Sequence, residues 1–453
     1  MQKKYDRVLF IFRRDLRLED NTGLLFALKQ AKEVIPCFIF TPEQIDRNPY
    51  RSDFCLQFMM ESLEDLNDSL KKRGSRLHLF FDHPETIVAQ CAKSVDAVVV
   101  NQDYTPYSLA RDEKIKRVCL KEGMDFHSFE DALLHPMAET LKGDENPYTI
   151  FTPYFRNASR LEVNQPAANK HRNFACIRMK FEEKESLLER ILPKRFELMR
   201  GGRRAALKVL KNLGKFKDYP AEEATTHLSA HLKFTTCSVR EAYYAIKEQL
   251  GIGSGLIRAL YWRDFFTSIA WHFPEVFQGA FHSKFNKLSW NNDKKLFKLW
   301  CEGKTGFPIV DAGMRQMNAT GFMHNRVRMI TASFLVKDLH VDWRWGEKYF
   351  AKTLIDYDPA VNNGNWQWVA STGCDAQPYF RVFNPWSQQE KFDPECIYIK
   401  KWVPELRDLS SESIHHWYEE EHWLECPHYP SPIADHAKES KITLGRYRKA
   451  AKK

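Results

Sequence analysis

The 453-residue sequence has no Cys-x-x-Cys pair: its ten cysteines, from Cys37 to Cys426, stand singly, without any spacing that suits a zinc site. A disulfide scaffold and a zinc module are therefore excluded, and the thiols read as reduced core residues. No apolar run approaches the ~18 residues that a membrane span requires. The start, Met1 to Asp6, runs straight into Val8-Leu9-Phe10-Ile11-Phe12, too short for a signal segment and without a small-residue cleavage site. The expectation is a soluble, cytoplasmic chain with no membrane partner. Hydrolytic motifs are lacking as well, since neither Gly-x-Ser-x-Gly nor His-Glu-x-x-His occurs. Gly303-Lys304-Thr305 resembles the end of a phosphate loop, but Lys298 stands where the loop needs its first glycine, so it reads as a turn between helices. His415, His416, His422 and His428 match no ligand spacing and read as solvated; no metal is expected. There is no internal repeat.

What remains is a long chain, 43% hydrophobic, able to bury two or three packed domains. Its 68 basic and 59 acidic residues leave a formal charge of +9, compatible with a polyanionic partner but not specific to one. Over the first ~130 residues, short β-rich runs alternate with helical stretches, the pattern of a parallel sheet wrapped by helices. Strands are expected at Val8 to Phe12, Val34 to Phe40, Arg76 to Phe81, Ala97 to Val100 and Asp125 to Phe129, with helices from Asn21 to Lys32, Asp53 to Arg73 and Ser108 to Glu122. No Gly-x-Gly-x-x-Gly follows these strands, so the usual dinucleotide fingerprint is missing.

From residue 131 to 200 the periodicity degrades around Pro136, Pro147, Pro153 and Pro166, as in an inter-domain connector. Residues 201–453 read as helical, with good candidates at Ser238 to Leu250, Gly255 to His272, Asp293 to Glu302, Pro308 to Thr320, His324 to Leu339 and Trp345 to Leu354. The chain ends in a short basic stretch, Arg446 to Lys453.

Three segments carry candidate chemistry. Thr225-Thr226-His227-Leu228-Ser229 is a hydroxyl-rich turn ahead of a helix, suited to an ordinary N-cap or to holding a phosphate. Asn325-Arg326-Val327-Arg328-Met329 opens a helix, and arginines two apart lie on different faces, so one can pair inward while the other meets solvent or phosphate. Asp356 to Trp368 packs two acids, several amides and two tryptophans into thirteen residues. Such a stretch suits either helix caps and core or a planar, polar, redox-active ring.

Together these residues resemble the photolyase/cryptochrome family, most closely the microbial photolyases of the cyclobutane pyrimidine dimer type. The resemblance covers essentially the whole chain. It starts at Phe12-Arg13-Arg14-Asp15-Leu16-Arg17 and is densest from Trp300 to Asp393, through Gly303 to Asp311 and Met323-His324-Asn325-Arg326. It implies an α/β N-terminal domain with a five-stranded parallel sheet (1–130), a connector (131–200) and an all-α domain (201–453) binding FAD. By this resemblance Thr225 to Ser229 hold the FAD diphosphate, Arg328 pairs with Asp356, and Trp262, Arg263, Asn325, Tyr357 and Asp358 border the flavin. Asn362 faces flavin N5, and an amide there cannot supply a proton as an acid would.

The resemblance also implies that Trp290, Trp343 and Trp366 form an electron-transfer chain to the flavin. Trp262 and Trp368 become the walls that clasp the lesion, each stacking worth about 1–3 kcal/mol. Asn325, Arg326, Met329, Gln388 and position 259 line that pocket, while Arg381 and Lys217 meet phosphates. The implied activity is electron transfer from excited, reduced FAD to a flipped dimer in UV-damaged DNA, by a chain acting as a monomer. A blue-light photoreceptor of the cryptochrome kind is the alternative.

The family's Trp-x-x-Glu-Leu-x-Trp-Arg appears here as Leu256-Ile257-Arg258-Ala259-Leu260-Tyr261-Trp262-Arg263, so Leu256 replaces the Trp and Ala259 the base-bonding Glu. Leu213 or Phe216 stands where a flavin-contacting Tyr is common, and Ala224 replaces a Gly. Asn325 and Met329 are not the histidines of (6-4) photolyases. Ser108 and Leu109 replace an Asn-Glu pair that contacts folate in some relatives, leaving methenyltetrahydrofolate, a deazaflavin or no antenna open.

Overall fold

A computed structural model describes residues 3–46, 48–179, 181–184, 186–192, 196–215, 220 and 225–452. Lys217, Phe216 and Ala224 lie outside the described residues. The chain divides into two compact units, residues 1–214 with 227–274, and residues 215–226 with 275–453.

The first unit is built on five parallel strands: β1 (Tyr5–Phe12), β2 (Ala31–Phe40), β3 (His78–Phe81), β4 (Ala97–Asn101) and β5 (Asp125–Phe129). All five fall where the runs of β-branched and aromatic residues place them. Their order is β3-β2-β1-β4-β5, so the direction of winding reverses between β1 and β4. Phe10 and Val99 pair across those two strands, and both are fully buried, as a sheet covered on both faces requires. The helices Thr22–Gln30, Asp53–Lys71 and Pro106–Lys121 appear as expected, and Pro84–Cys91 is an additional one.

The segment expected to be mere connector carries the helices Phe151–Ala158 and Ser186–Ile191, plus isolated bridges from Phe174 to Val34 and from Glu183 to Leu79. Helices Val239–Leu250 and Gly255–His272 belong to this first unit. Arg240 binds Asp20 and Asp131, Arg17 binds Asp131 and Thr235, and Asp264 accepts from the Leu134 amide at 2.8 Å. These buried ion pairs and hydrogen bonds tie residues 228–274 to the first unit, within which that segment is grouped.

The second unit is helical, around one large core that includes Trp300, Phe307, Met314, Val327, Phe334, Trp343, Phe350, Trp366 and Trp417. Gly303 ends helix Lys294–Glu302 in the left-handed region, φ +64, and Pro308 opens helix Pro308–Thr320. Between them, buried Asp311 accepts from the Thr305 and Gly306 amides, the Thr305 hydroxyl and the Tyr429 hydroxyl. Gly303-Lys304-Thr305 is thus a turn between helices. A Cβ at Gly306 would stand 2.3 Å from the Ser431 carbonyl oxygen.

The expected helix from His324 to Leu339 is instead Asn325–Ser333 followed by a π-helical turn, Phe334–Asp338. The short basic end is the last turn of a helix, His436–Ala451. His415 is a correction to the solvated reading: it is buried, with Nε2 2.9 Å from the Pro394 carbonyl oxygen. No helix among the described residues is long and apolar enough to cross a membrane.

Candidate functional site: a carboxylate, amide and tryptophan cluster

Helix Asn325–Ser333 starts at His324, whose Nδ1 accepts from the Arg326 amide at 3.1 Å. The two arginines diverge as their spacing demands. Arg328 makes a bidentate pair with Asp356, at 3.1 and 2.9 Å, and its Nε donates to the Met323 carbonyl oxygen at 2.7 Å. With the Asp356 side chain only 4% exposed, this fork fixes the chain just before the polar stretch. Arg326 turns elsewhere. Its guanidinium lies 4.4 Å from the centre of the Phe392 ring, with Nη1 3.9 Å from the Met329 sulfur. Its buried Nε has no hydrogen-bond partner among the described residues. Gln388 is one turn from Phe392 on helix Pro385–Phe392, so Arg326, Met329 and Gln388 are brought to one locality.

The stretch after Asp356 is largely a helix, Pro359–Val369, which no periodic reading assigned beyond Leu354. Asp358 is its N-cap, accepting from the Ala360 and Val361 amides, and Pro359 occupies the first turn. Asn362 follows one turn after Asp358, on the same face. The Asn362 Nδ2 donates to the Glu347 carbonyl oxygen at 3.2 Å, leaving Oδ1 without a protein partner among the described residues. Asn363 donates to the Glu347 carboxyl and the Val276 carbonyl, and Gln367 to the Val276 and Gly279 carbonyls and to Asn363. Sequence reasoning missed Glu347, Asn363 and Gln367; apart from the Gln367–Asn363 bond, these bonds span 15 to 91 residues of the chain.

Trp366 and Trp343 are buried in the core, and Trp290 is half-buried against it. Trp366 packs edge-on to Phe350 at 4.9 Å and to Trp300 at 6.3 Å. Trp300, also missed, is fully buried and donates Nε1 to the Thr331 carbonyl oxygen. Gly346 makes room for this arrangement, since a Cβ there would stand 2.1 Å from the Trp366 ring. Trp368, two residues on, is half-buried, as is Tyr357.

Asn325 and Arg381 are exposed. In the other unit, Trp262 and Arg263 are half-buried on helix Gly255–His272, and Ala259 is exposed. One face of Trp262 is covered: its ring stacks on Phe151 at 3.7 Å and 7°. Arg263 pairs with Asp264 and donates to the Ala132 carbonyl oxygen at 2.7 Å. The hydroxyl turn departs from the expected N-cap. The cap residue is His227, with φ +53 and no side-chain cap bond, and the helix after it, Leu228–Lys233, is short. Thr225 and Thr226 are half-buried, Leu228 is buried and Ser229 is exposed.

A carboxylate at a helix start, an amide with a free carbonyl oxygen one turn later and buried indoles behind them suit a flat ring with polar edges and redox activity. Comparison with known proteins bears on which ring. Residues 8–170 match the family described as DNA photolyase, and residues 256–449 the FAD binding domain of DNA photolyase. The deoxyribodipyrimidine photo-lyase of Vibrio cholerae is 36% identical over 472 residues, covering 97% of this chain and 98% of that one. A crystal structure of an archaeal photolyase from Sulfolobus tokodaii with two FAD molecules shares 46% identity and a TM-score of 0.89, over 98% of this chain and 100% of that one. A cryptochrome from Synechocystis superposes with a TM-score of 0.87 at 26% identity, over 98% and 100%. By its sequence relatives, its fold and both of its matched domains, this chain belongs to the DNA photolyase family.

Proposed function

We propose that this chain binds FAD and repairs UV-damaged DNA in the light, splitting cyclobutane pyrimidine dimers. The observation that carries the reading is the Asp358–Asn362 turn, braced by Glu347 and by the Arg328–Asp356 fork, within a sequence that matches the FAD binding domain of DNA photolyase. When bound and reduced, FAD supplies the photoexcited electron that opens the cyclobutane ring. The residues of the chain do the rest. Asn362 offers flavin N5 a carbonyl oxygen, which accepts an N–H and has no proton to give, so the reduced ring keeps its proton inventory. Asp358 and Tyr357 border the ring, and Arg328 holds Asp356 in place. Arg263 and Asn325 would meet the cofactor's margin, and Thr225 to Ser229 would hold its diphosphate. Trp366, Trp343 and Trp290, running from the core toward its edge, pass electrons inward to restore the reduced state.

Trp262 and Trp368 form the lesion walls. On this reading Ala259 in the one unit, and Asn325, Arg326, Met329 and Gln388 in the other, would each contact the damaged strand, with Arg381 and Lys217 meeting the DNA backbone. The cryptochrome-like alternative is less well supported, because Asn362 and the dimer-photolyase relatives both favour repair. The chain acts as a cytoplasmic monomer, in keeping with ten free cysteines and a DNA substrate.

An antenna belongs at the carboxyl ends of β1 and β4, where the winding reverses. There Arg13 pairs with Asp112 and Arg14 with Asp103, beside an exposed Tyr107 whose ring lies 5.9 Å from the Arg111 guanidinium. The relative with two FAD molecules, described as implying a novel light-harvesting cofactor, favours a flavin over a folate as the antenna. One experiment tests the main reading. Purified, photoreduced protein is mixed with an oligonucleotide carrying a single dimer, and blue light is expected to restore the two pyrimidines. Dimers that persist under light while FAD is bound would overturn it.

A further inference from the structure

Helix Gly255–His272 carries a cation that no carboxylate among the described residues pairs. The neighbouring arginines are neutralised: Arg263 by Asp264, Arg240 by Asp20 and Asp131, Arg203 by Glu19 and Glu241. Arg258 is exposed and has no carboxylate partner among the described residues. Its guanidinium lies over two aromatic rings, 4.9 Å from the centre of Phe151 and 5.2 Å from that of Phe155. Phe151 and Phe155 are one turn apart on helix Phe151–Ala158 and stack on each other at 5.7 Å and 17°.

The same Phe151 ring carries Trp262, flat against it at 3.7 Å. Arg258 and Trp262 are also one turn apart, so both side chains project from one face and share an aromatic floor. Ala259, exposed beside them, adds no bulk. Rings below a guanidinium attract its charge without taking up its N–H donors, which stay available to a ligand. Contact with two rings also orders a long side chain in advance, which reduces what binding must spend on ordering it.

We propose that Arg258 is a DNA-binding residue that grips a backbone phosphate next to the lesion clasped by Trp262. The proposal rests on the reading of Trp262 as a lesion wall given above. A phosphodiester suits this group: its two free oxygens match the guanidinium fork, and its charge supplies the partner that no carboxylate provides. A phosphate contact positions the strand without reading sequence. It also supplies part of the polar grip on DNA that is lost where Ala259 replaces the family's glutamate.

The test compares the parent with Arg258→Met, which keeps apolar length and removes charge, and with Arg258→Lys, which keeps charge. Binding to dimer-containing and undamaged duplexes is measured in the dark at several salt concentrations, with FAD absorbance recorded for each protein. Arg258→Met is expected to lower the slope of log K against log salt by about 1 and to weaken both duplexes several-fold, while Arg258→Lys keeps the parent slope. If Arg258→Met loses FAD, Arg258→Gln takes its place in the comparison. An unchanged slope in the uncharged variant overturns the proposal, as does a loss confined to the damaged duplex. A parent that repairs dimers while its uncharged variant keeps the slope counts against Arg258 alone. A parent that binds DNA with this salt dependence but repairs nothing in blue light counts against the proposed function.

Discussion

Glu347 lies beneath the amides of helix Pro359–Val369, bonded to Asn362 through its backbone carbonyl and to Asn363 through its carboxyl at 3.0 Å. Burial pushes this carboxyl up to about 7, against the opposing pull of Asn363 and Arg344. Between the unfolded value near 4.5 and about 7, the folded chain keeps a proton that the unfolded chain releases. Stability from this group is therefore full below the unfolded value and falls as pH rises through 7, by about 3 kcal/mol at most. Glu347→Gln keeps a neutral acceptor for Asn363 and removes the titration. Urea unfolding at pH 5 and pH 8 is expected to show a smaller loss in Glu347→Gln than in the parent; equal losses would assign the titration elsewhere. Ala259 poses the opposite case, an exposed position with nothing to crowd a larger side chain. Ala259→Glu is expected to raise affinity for dimer-containing DNA several-fold, since on the proposed reading a bound dimer would cover this exposed position and a carboxylate would give its bases a hydrogen-bonding partner. Dark binding to a defined dimer measures this, and an unchanged or lower affinity would show that the pocket is built around alanine.

Among the elements, the C-terminal helix His436–Ala451 shows how a chain end becomes part of a core. Buried Tyr447 donates its hydroxyl to the Ala370 carbonyl oxygen at 2.5 Å, and Thr443 donates to that of Lys337, within the π-helical turn. His436 lies 2.5 Å from Asp338, and His340 lies 2.7 Å from Glu439. Tyr447→Phe keeps the ring and leaves a buried carbonyl without its donor, so a loss of about 1–3 kcal/mol is expected in thermal unfolding. Arg446→Ala, which removes exposed bonds to Ser289 and Asn291, should cost under about 0.5 kcal/mol. Equal shifts in the two variants would mean that the helix is held by its charges and not by its buried hydroxyls.

The same helix marks the limit of what the sequence discloses. Strands β1 to β5 and helices Gly255–His272 and Pro308–Thr320 were legible because their runs are dense in apolar residues and end at Gly, Pro or polar caps. Helix His436–Ala451 was not, since only Thr443, Tyr447 and Ala450 of its sixteen residues are buried. Helix Pro359–Val369 escaped for a related reason: Asn363 and Gln367 fill its inward face and satisfy their amides against Val276, Gly279 and Glu347. A polar face that turns inward does not show as an apolar stripe. The site residues themselves were read from ordered motifs, whereas Glu347 and Trp300, which brace them, carry no motif of their own.

For the molecule as a whole, the relevant partner is a polyanion, and a formal charge of +9 spread over 453 residues is modest. Several of its arginines are committed internally: Arg13, Arg17, Arg203, Arg240, Arg315 and Arg328 all pair with carboxylates. Other cations, such as Arg381 and Arg258, are exposed and carry no carboxylate partner among the described residues. Each phosphate they meet releases condensed counterions, so affinity should fall linearly in a log–log plot against salt, with a slope near 0.9 per contact on duplex DNA. The contacts that distinguish a dimer from intact DNA are different in kind. On the proposed reading, stacking on Trp262 and on Trp368 and hydrogen bonds from Asn325 would release no counterions. Damaged and undamaged duplexes should therefore give parallel lines, the gap between them constant as salt rises, while both absolute affinities drop steeply. Fluorescence anisotropy in the dark, from 50 to 300 mM salt, checks this directly. Lines that converge as salt rises would mean that lesion preference is itself electrostatic, and would move the source of discrimination from the aromatic walls to the cations around them.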